Sequence, residues 1–131
     1  MRLHSRHQQL INLIVVDIDH FKQFNDRFGH VVGDRVLALV GKQLNAITRV
    51  GVSVYRYGGE EFALIFCGGT VVQATQLTET LRFSIERLAN ITVSIGVASR
   101  GAGETAEDLV ARTDAALYQA KSDGRNRVCQ V

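Results

Sequence analysis

The sequence predicts an α+β fold, a mainly antiparallel central sheet with helices packed against it, and three observations carry that expectation. Gly58-Gly59 stands between two β-like stretches, a two-residue connection that permits positive φ at both positions and so an antiparallel hairpin. Elsewhere, apolar runs and period-two stretches alternate with stretches whose apolar residues recur at spacings of three and four. No proline occurs in the chain, so glycine alone supplies strong punctuation. Helices falling between strands favour a helix-on-sheet layering, and the hairpin requires antiparallel pairing.

The elements follow in order. Leu10 to Val16 is a nearly continuous apolar run, as in a strand buried on both faces, and it ends at Asp17-Ile18-Asp19. A short helix is predicted over His20 to Phe28, with Asp19 as its N-cap and Gly29 as its stop. Gly33 to Ile47 reads as a second helix with Val36, Val40, Leu44 and Ile47 on one stripe. Val52 to Tyr57 and Glu60 to Phe66 form the hairpin strands. Thr70 to Leu88 is a long amphipathic helix. In Ile91 to Ala98, Ile91, Val93, Ile95 and Val97 point one way and Thr92, Ser94 and Gly96 the other, which predicts a strand with one packed face. Thr105 to Lys121 is a helix opened by a capping box of Thr105 with Asp108. Gly124 ends it, and Asn126 to Val131 forms a last strand.

Composition narrows the class. A chain of 131 residues suits one domain, taken here as 1–131, and can bury a core without staples. The net charge of +2 offers no broad basic field, so nucleic-acid wrapping is not expected and cations matter only where they gather. Cys67 and Cys129 are far apart and in no metal-ligand spacing, which reads as two small buried hydrophobes in a reducing compartment. No apolar run reaches the length of a membrane span. Met1 to Gln9 is polar, with Arg2, His4, Arg6 and His7, and lacks the apolar stretch of a secretory signal. A cytoplasmic location is the expectation, within a parent protein that could itself be membrane-anchored.

Two acidic clusters point to chemistry. Asp17 and Asp19 close a buried strand, and Glu60 and Glu61 follow a tight turn; if the strands are neighbours, their carboxylates meet at one sheet edge. Mg²⁺ takes hard oxygens, commonly one or two carboxylates completed by phosphate oxygens. Strand alternation puts one residue of each pair towards such an ion and the other elsewhere, and for Asp19 the helix-cap reading is favoured. The helix start at His20-Phe21-Lys22 offers free N–H groups and a positive dipole end for phosphate. Lys121 and Arg125 flank Gly124; they can serve the same phosphate or merely complement a helix C-terminus. Asn25 and Asp34 are candidates for reading guanine, whose N1–H and N2–H₂ form a donor pair that a carboxylate can accept; Asp34 can equally be a first-turn helix acid.

These residues resemble a known family. Arg56-Tyr57-Gly58-Gly59-Glu60-Glu61-Phe62 is similar to the signature of GGDEF domains in its GGEEF form. Asp17-Ile18-Asp19-His20-Phe21-Lys22, Asn25-Asp26, Phe28-Gly29-His30 and Gly33-Asp34 resemble its first-strand and helix motif. Thr92 to Ala98 resembles its penultimate strand, and Asp114-Ala115-Ala116-Leu117-Tyr118, Ala120-Lys121 and Gly124-Arg125-Asn126 its closing helix. The resemblance runs from about Leu10 to the C-terminus. It implies a palm-like fold of the ferredoxin-like, nucleotidyl-cyclase kind, and a diguanylate cyclase condensing two GTP into cyclic di-GMP and two pyrophosphates. It further implies Mg²⁺ or Mn²⁺ on Asp17, Glu60, the Ile18 carbonyl and Glu61. Glu60 would help deprotonate the attacking 3′-hydroxyl, Asn25 and Asp34 would read guanine, and the Phe21 and Lys22 amides with Lys121 and Arg125 would hold the triphosphate. Catalysis would need a transient homodimer, with a sensory or dimerisation domain upstream.

Two departures qualify the implication. The family's opening segment, D-x-L-T-G-L-x-N-R, has no match in Met1 to Leu10, so the domain's first helix is expected to be missing. Its inhibitory product site, R-x-x-D, is represented by Arg49-Val50-Gly51-Val52, with Val52 in place of the Asp, so feedback through it is expected to be weak or absent. The competing readings are a catalytically inactive GTP-binding or regulatory GGDEF domain, and a cyclase using ATP, against which Asp34 speaks.

Overall fold

The computed structural model describes residues 10–46 and 51–131. Its organising element is β1 (Ile11–Ile18), whose unbroken apolar sequence buries on both faces at its centre: Ile14, Val15 and Val16 are all buried. Then follow α1 (Phe21–Phe28), α2 (His30–Ala46), β2 (Val52–Arg56), β3 (Glu61–Cys67), α3 (Val71–Ala89), β4 (Val93–Ser99), α4 (Ala106–Ser122) and β5 (Arg127–Gln130). The sheet order is β2-β3-β1-β4-β5. β1 lies antiparallel to both β3 and β4, β2 is antiparallel to β3, and β5 is parallel to β4. This is the mainly antiparallel α+β arrangement the sequence predicts.

One sheet face carries the main core. Ile14, Val16 and Ile18 of β1 join Phe62, Leu64 and Phe66 of β3 and Val93, Ile95 and Val97 of β4 against Phe21 of α1, Val36, Val40 and Leu44 of α2, and Leu81 and Ile85 of α3. Alternation sends Leu13, Val15 and Asp17 to the opposite face, where α4 packs. Asn12 is buried in β1 and spends its amide on the Phe66 and Gly69 carbonyls at 3.3 and 2.7 Å, which ties β1 to the β3–α3 connection. Among the described residues, no helix is long and apolar enough to cross a membrane.

Several expectations are corrected. β4 does not have one packed face; Val93 to Ala98 are all buried. Gly96 is the reason: a Cβ there would lie 2.4 Å from the Leu117 nitrogen and 2.5 Å from the Thr113 carbonyl oxygen, so only glycine lets α4 seat on the strand. α2 starts at His30, before Gly33, which becomes a buried interior residue facing Asn25 of α1. Ile47 lies outside the described residues.

The turn between β2 and β3 is also different. Neither Gly58 nor Gly59 has positive φ. Instead the Tyr57 and Gly58 N–H groups both donate to the Glu61 carbonyl, at 2.9 and 3.2 Å, leaving Gly58-Gly59-Glu60 as a three-residue connection. Arg56 closes it by donating from Nε to the Gly58 carbonyl at 3.0 Å and from Nη2 to the Gly59 carbonyl at 2.6 Å. Thr70 with Gln73 forms a full reciprocal capping box on α3, whereas at α4 the Thr105 hydroxyl accepts from the Asp108 N–H without the return bond. Cys67 and Cys129 are free and half-buried rather than fully buried; partial burial pushes the Cys129 thiol up, so it is a poor nucleophile.

Candidate active site

The C-terminal end of β1 is flanked on both sides by strand beginnings, because both of its neighbours run antiparallel. In register, Asp17 pairs with Glu61 of β3 and with Ser94 of β4. The Ile18 N–H donates to the Glu60 carbonyl at 3.2 Å, which fixes the turn beside β1.

Asp17 is buried, at 4% exposure. Its Oδ2 accepts from Lys121 Nζ of α4, a contact between a buried carboxylate and a one-third exposed ammonium. Its Oδ1 is buried with no hydrogen-bond partner. A buried, unpartnered carboxylate oxygen is costly unless something positive is delivered to it.

Glu60 and Glu61 deepen that demand. Both carboxyls are pushed above the ordinary carboxylate value, first by burial and then by the neighbouring Asp17 carboxylate, with Lys121 opposing. Alternation had assigned the two glutamates to opposite jobs. Glu60, however, lies in the turn rather than the strand, so alternation does not govern it, and both reach Asp17. They still open to different sides. Glu60 lines a cleft of about 140 Å³ with Asp17, Ile18, Phe21, Lys22, Lys121 and Arg125. Glu61 lines a neighbouring hollow of about 390 Å³ with Tyr57, Asp114, Tyr118 and Lys121.

The first turn of α1 enters the same cleft. His20, its N-cap residue, is in the left-handed region and makes no side-chain cap. The first-turn N–H groups therefore keep their free donors and positive dipole end. Asp19 is not the cap the sequence suggests; it turns away and accepts from Thr92, Ser94 and the Asn126 N–H. Phe21 contributes backbone only, since its side chain is buried against the core and stacked near Phe24.

The charge pattern fits a hard divalent cation. Asp17 Oδ1, Glu60 and the Ile18 carbonyl edge supply oxygens of the required kind. Among the described residues, no group of three or more His, Cys, Asp or Glu side chains is arranged to hold a metal on its own. An ion here would draw its remaining ligands from phosphate oxygens, as Mg²⁺ commonly does.

Asn25 and Asp34 are not in this cleft. Asn25 abuts Gly33, with its Oδ1 buried and unpartnered. Asp34, the next residue, is exposed and lines an open hollow of about 620 Å³ with Leu37, Lys42, Arg56 and Phe62. Val52, at the Asp position of R-x-x-D, is a buried core residue. Arg49 and Met1 to Gln9 lie outside the described residues.

Sequence reasoning missed Arg56 as the clasp of the glycine turn, and it missed Thr92, Ser94 and Asn126 as the partners of Asp19. No local signal marks either set. The nearest is Gly124-Arg125-Asn126, a run whose composition permits left-handed backbone.

The family model described as "Diguanylate cyclase, GGDEF domain" matches residues 1–127. The chain belongs to the GGDEF-domain family of diguanylate cyclases. It is 44% identical to the diguanylate cyclase VdcA of Vibrio cholerae, an alignment covering 92% of this chain and 39% of that protein. This chain thus spans well under half the length of that relative. Among solved structures it is similar to the active GGEEF domain of a diguanylate cyclase from Vibrio cholerae, with a TM-score of 0.89 and 36% identity over 96% of this chain and 85% of that one. It is similar also to the coiled coil and GGDEF domain of DgcB from Caulobacter crescentus in complex with c-di-GMP, with a TM-score of 0.91 and 36% identity over 96% of this chain and 72% of that one. The GGDEF family generally works with divalent metal ions, in keeping with the donor set at Asp17 and Glu60.

Proposed function

We propose that this domain is an active diguanylate cyclase, binding one GTP with Mg²⁺ or Mn²⁺ and joining it to the GTP of a second, facing copy. The product is cyclic di-GMP and two pyrophosphates. The observation that carries this reading is the buried, unpartnered Asp17 Oδ1, set beside Glu60 and Glu61 and facing an uncapped helix start with three cations, Lys22, Lys121 and Arg125.

Each part has a job in that chemistry. Asp17, Glu60 and the Ile18 carbonyl hold the ion, with Glu61 behind them. When bound, the ion neutralises charge on the phosphoryl oxygens and the leaving pyrophosphate. The N–H groups of Phe21 and Lys22, with the side chains of Lys22, Lys121 and Arg125, receive the phosphates; preorganised donors of this kind supply the electrostatic share of catalysis. Lys121 neutralises Asp17 in the ligand-free chain and turns to phosphate when nucleotide arrives. The proton affinity of Glu60, raised by its surroundings, suits it to accept the 3′-hydroxyl proton. Asn25 and Asp34 take the guanine edge, which selects GTP over ATP.

One domain holds only half of the reacting atoms. Turnover therefore needs two copies in a transient homodimer, and positioning supplies much of the rate. A dimerising or sensory segment upstream would serve that need, and the similar DgcB structure contains a coiled coil together with its GGDEF domain. With Val52 in the core, product feedback through R-x-x-D is weak or absent.

The test is incubation of the purified chain with GTP and Mg²⁺, with cyclic di-GMP quantified by chromatography. Product is expected, and Glu60→Ala should lower the rate by at least about 100-fold. GTP binding without turnover, even with two copies fused through a coiled coil, would return the domain to the binding-only reading.

A further inference from the structure

Asp19 is the one acid of the two clusters that the proposed chemistry leaves unused. It is buried, at 5% exposure, yet both of its oxygens are engaged. Oδ1 accepts from Ser94 Oγ at 2.6 Å, and Oδ2 accepts from Thr92 Oγ1 at 2.6 Å and from the Asn126 N–H at 3.0 Å. The two hydroxyls belong to the chain at the start of β4 and anchor the carboxylate. The third donor belongs to the segment between α4 and β5.

That segment is strained. Gly124, Arg125 and Asn126 have φ of 125°, 65° and 48°. Two successive non-glycine residues in the left-handed region persist only where their surroundings over-determine them. Several contacts do so here, among them Arg127 Nε donating to the Arg125 carbonyl at 3.0 Å and Asn126 Nδ2 donating to Glu86 Oε2 at 3.4 Å. The Arg125 N–H donates to the Ala120 carbonyl at 2.9 Å. Asn126 Oδ1 accepts from Arg82 Nη1 at 2.7 Å, and Arg82 is itself held by two bonds to Glu79 Oε1. Asp19 grips the Asn126 N–H from the inside, and a charge-assisted bond to a buried carboxylate is the strongest kind available. Arg125, inside this turn, lines the cleft with Asp17, Lys22 and Lys121.

We infer that Asp19 is a positioning residue for the polyphosphate end of the nucleotide. It locks the left-handed Arg125–Asn126 turn and so aims the Arg125 guanidinium at the phosphates that the α1 amides receive. The pair Asp17 and Asp19 is then a division of labour: one carboxylate for the cation, the next for the backbone that carries the anion's ligand. This inference rests on the functional reading above.

The test is binding, not turnover. Calorimetry compares α,β-methylene GTP, which cannot react at the α-phosphorus, with GMP, both with Mg²⁺. The unsubstituted chain should prefer the triphosphate. Asp19→Asn should lower triphosphate affinity by about tenfold while moving GMP affinity by less than about twofold. In an Arg125→Ala background, the same Asp19→Asn change should add less than about twofold, because its route to the phosphates is gone. Thr92→Val, which removes one anchor and keeps the charge, should reproduce the pattern in smaller measure and serves if Asp19→Asn does not fold. Equal losses for both ligands, no loss for either, or additive losses with Arg125→Ala would overturn the inference. An unsubstituted chain that binds no triphosphate would sink the functional reading itself.

Discussion

Replacing Gly96 with alanine tests whether α4 sets the site. A Cβ at Gly96 would stand 2.4 Å from the Leu117 nitrogen, 2.5 Å from the Thr113 carbonyl oxygen and 3.0 Å from the Leu117 Cα. All three are backbone atoms, so no side-chain rotation relieves the clash. Restoring ordinary contact at roughly 3.4 Å requires α4 to retreat from the sheet by about 1 Å. Overpacking of this kind costs about 1–3 kcal/mol, and a rigid obstacle places Gly96→Ala towards the upper end, about 2–3 kcal/mol. For a domain of this size each kcal/mol is worth about 3–5 °C in melting temperature, so a fall of roughly 6–15 °C is expected. The same retreat withdraws Lys121 from Asp17, and misplacement by about 1 Å can cost about 100-fold in rate. Thermal unfolding by circular dichroism gives the first quantity and cyclic di-GMP formation below the new melting point gives the second. A Gly96→Ala domain that melts within about 2 °C of the parent would refute the account of β4 as a strand whose second face exists only through its glycine.

The remaining predictions concern charge and the nucleotide. Lys121→Met leaves Asp17 buried without a cation; because Lys121 is itself one-third exposed, the cost is expected near 2 kcal/mol, below the full penalty for breaking a buried pair, which is about 3–5 kcal/mol. Millimolar Mg²⁺ should then raise the melting temperature of Lys121→Met more than that of the parent, and equal shifts would argue against Asp17 as a cation ligand. Glu60 and Glu61 bind protons more tightly folded than at their unfolded value of 4.5. Their stabilising contribution is therefore full below pH 4.5 and is lost as pH rises through the raised folded values, so the ligand-free chain should lose stability on that climb and Glu60→Gln should flatten it. Glu104 has the opposite sign: Arg112 holds its carboxyl down to about 2, so its contribution is present above 4.5 and lost only as pH falls towards 2, which separates the two windows in a pH series of denaturant melts. Gly33→Ala would drive a Cβ to 1.7 Å from Asn25 Oδ1, displacing that amide, while alanine gains about 1 kcal/mol of helix propensity over glycine. Guanine-nucleotide affinity should fall with little change in melting temperature; unchanged affinity would remove Asn25 from the base site.

What could be read from the chain, and what could not, divides by distance along it. The apolar run of β1, the stripe of Val36, Val40 and Leu44, and the helices capped by Thr70 and Thr105 are local patterns, and the structure keeps them all. Asp19 was assigned a local task because a helix cap is what an aspartate can do within three residues. Its actual partners, Thr92, Ser94 and Asn126, lie 73, 75 and 107 positions away, and no periodicity encodes such pairings. Alternation likewise separated Glu60 from Glu61 by assuming both sit in a strand, whereas the Arg56 clasp holds Glu60 in the turn. The sheet order explains why such distant residues meet. β1 is central, and its C-terminal end faces the start of β3 and the start of β4, since both run against it. β5 runs parallel to β4, so its entry, at Arg127 beside Ser94, falls at that same edge. Four chain segments therefore arrive together: the end of β1 with Asp17 and Asp19, the glycine turn with Glu60, the approach to β4 with Thr92, and the exit of α4 with Lys121 and Arg125. A β5 antiparallel to β4 would have to enter at the opposite edge and draw the chain away from the cleft at Arg125, while Lys121, carried by α4, would stay beside Asp17. The parallel pairing of one short strand is thus what keeps Arg125 with the cation-binding half of the site.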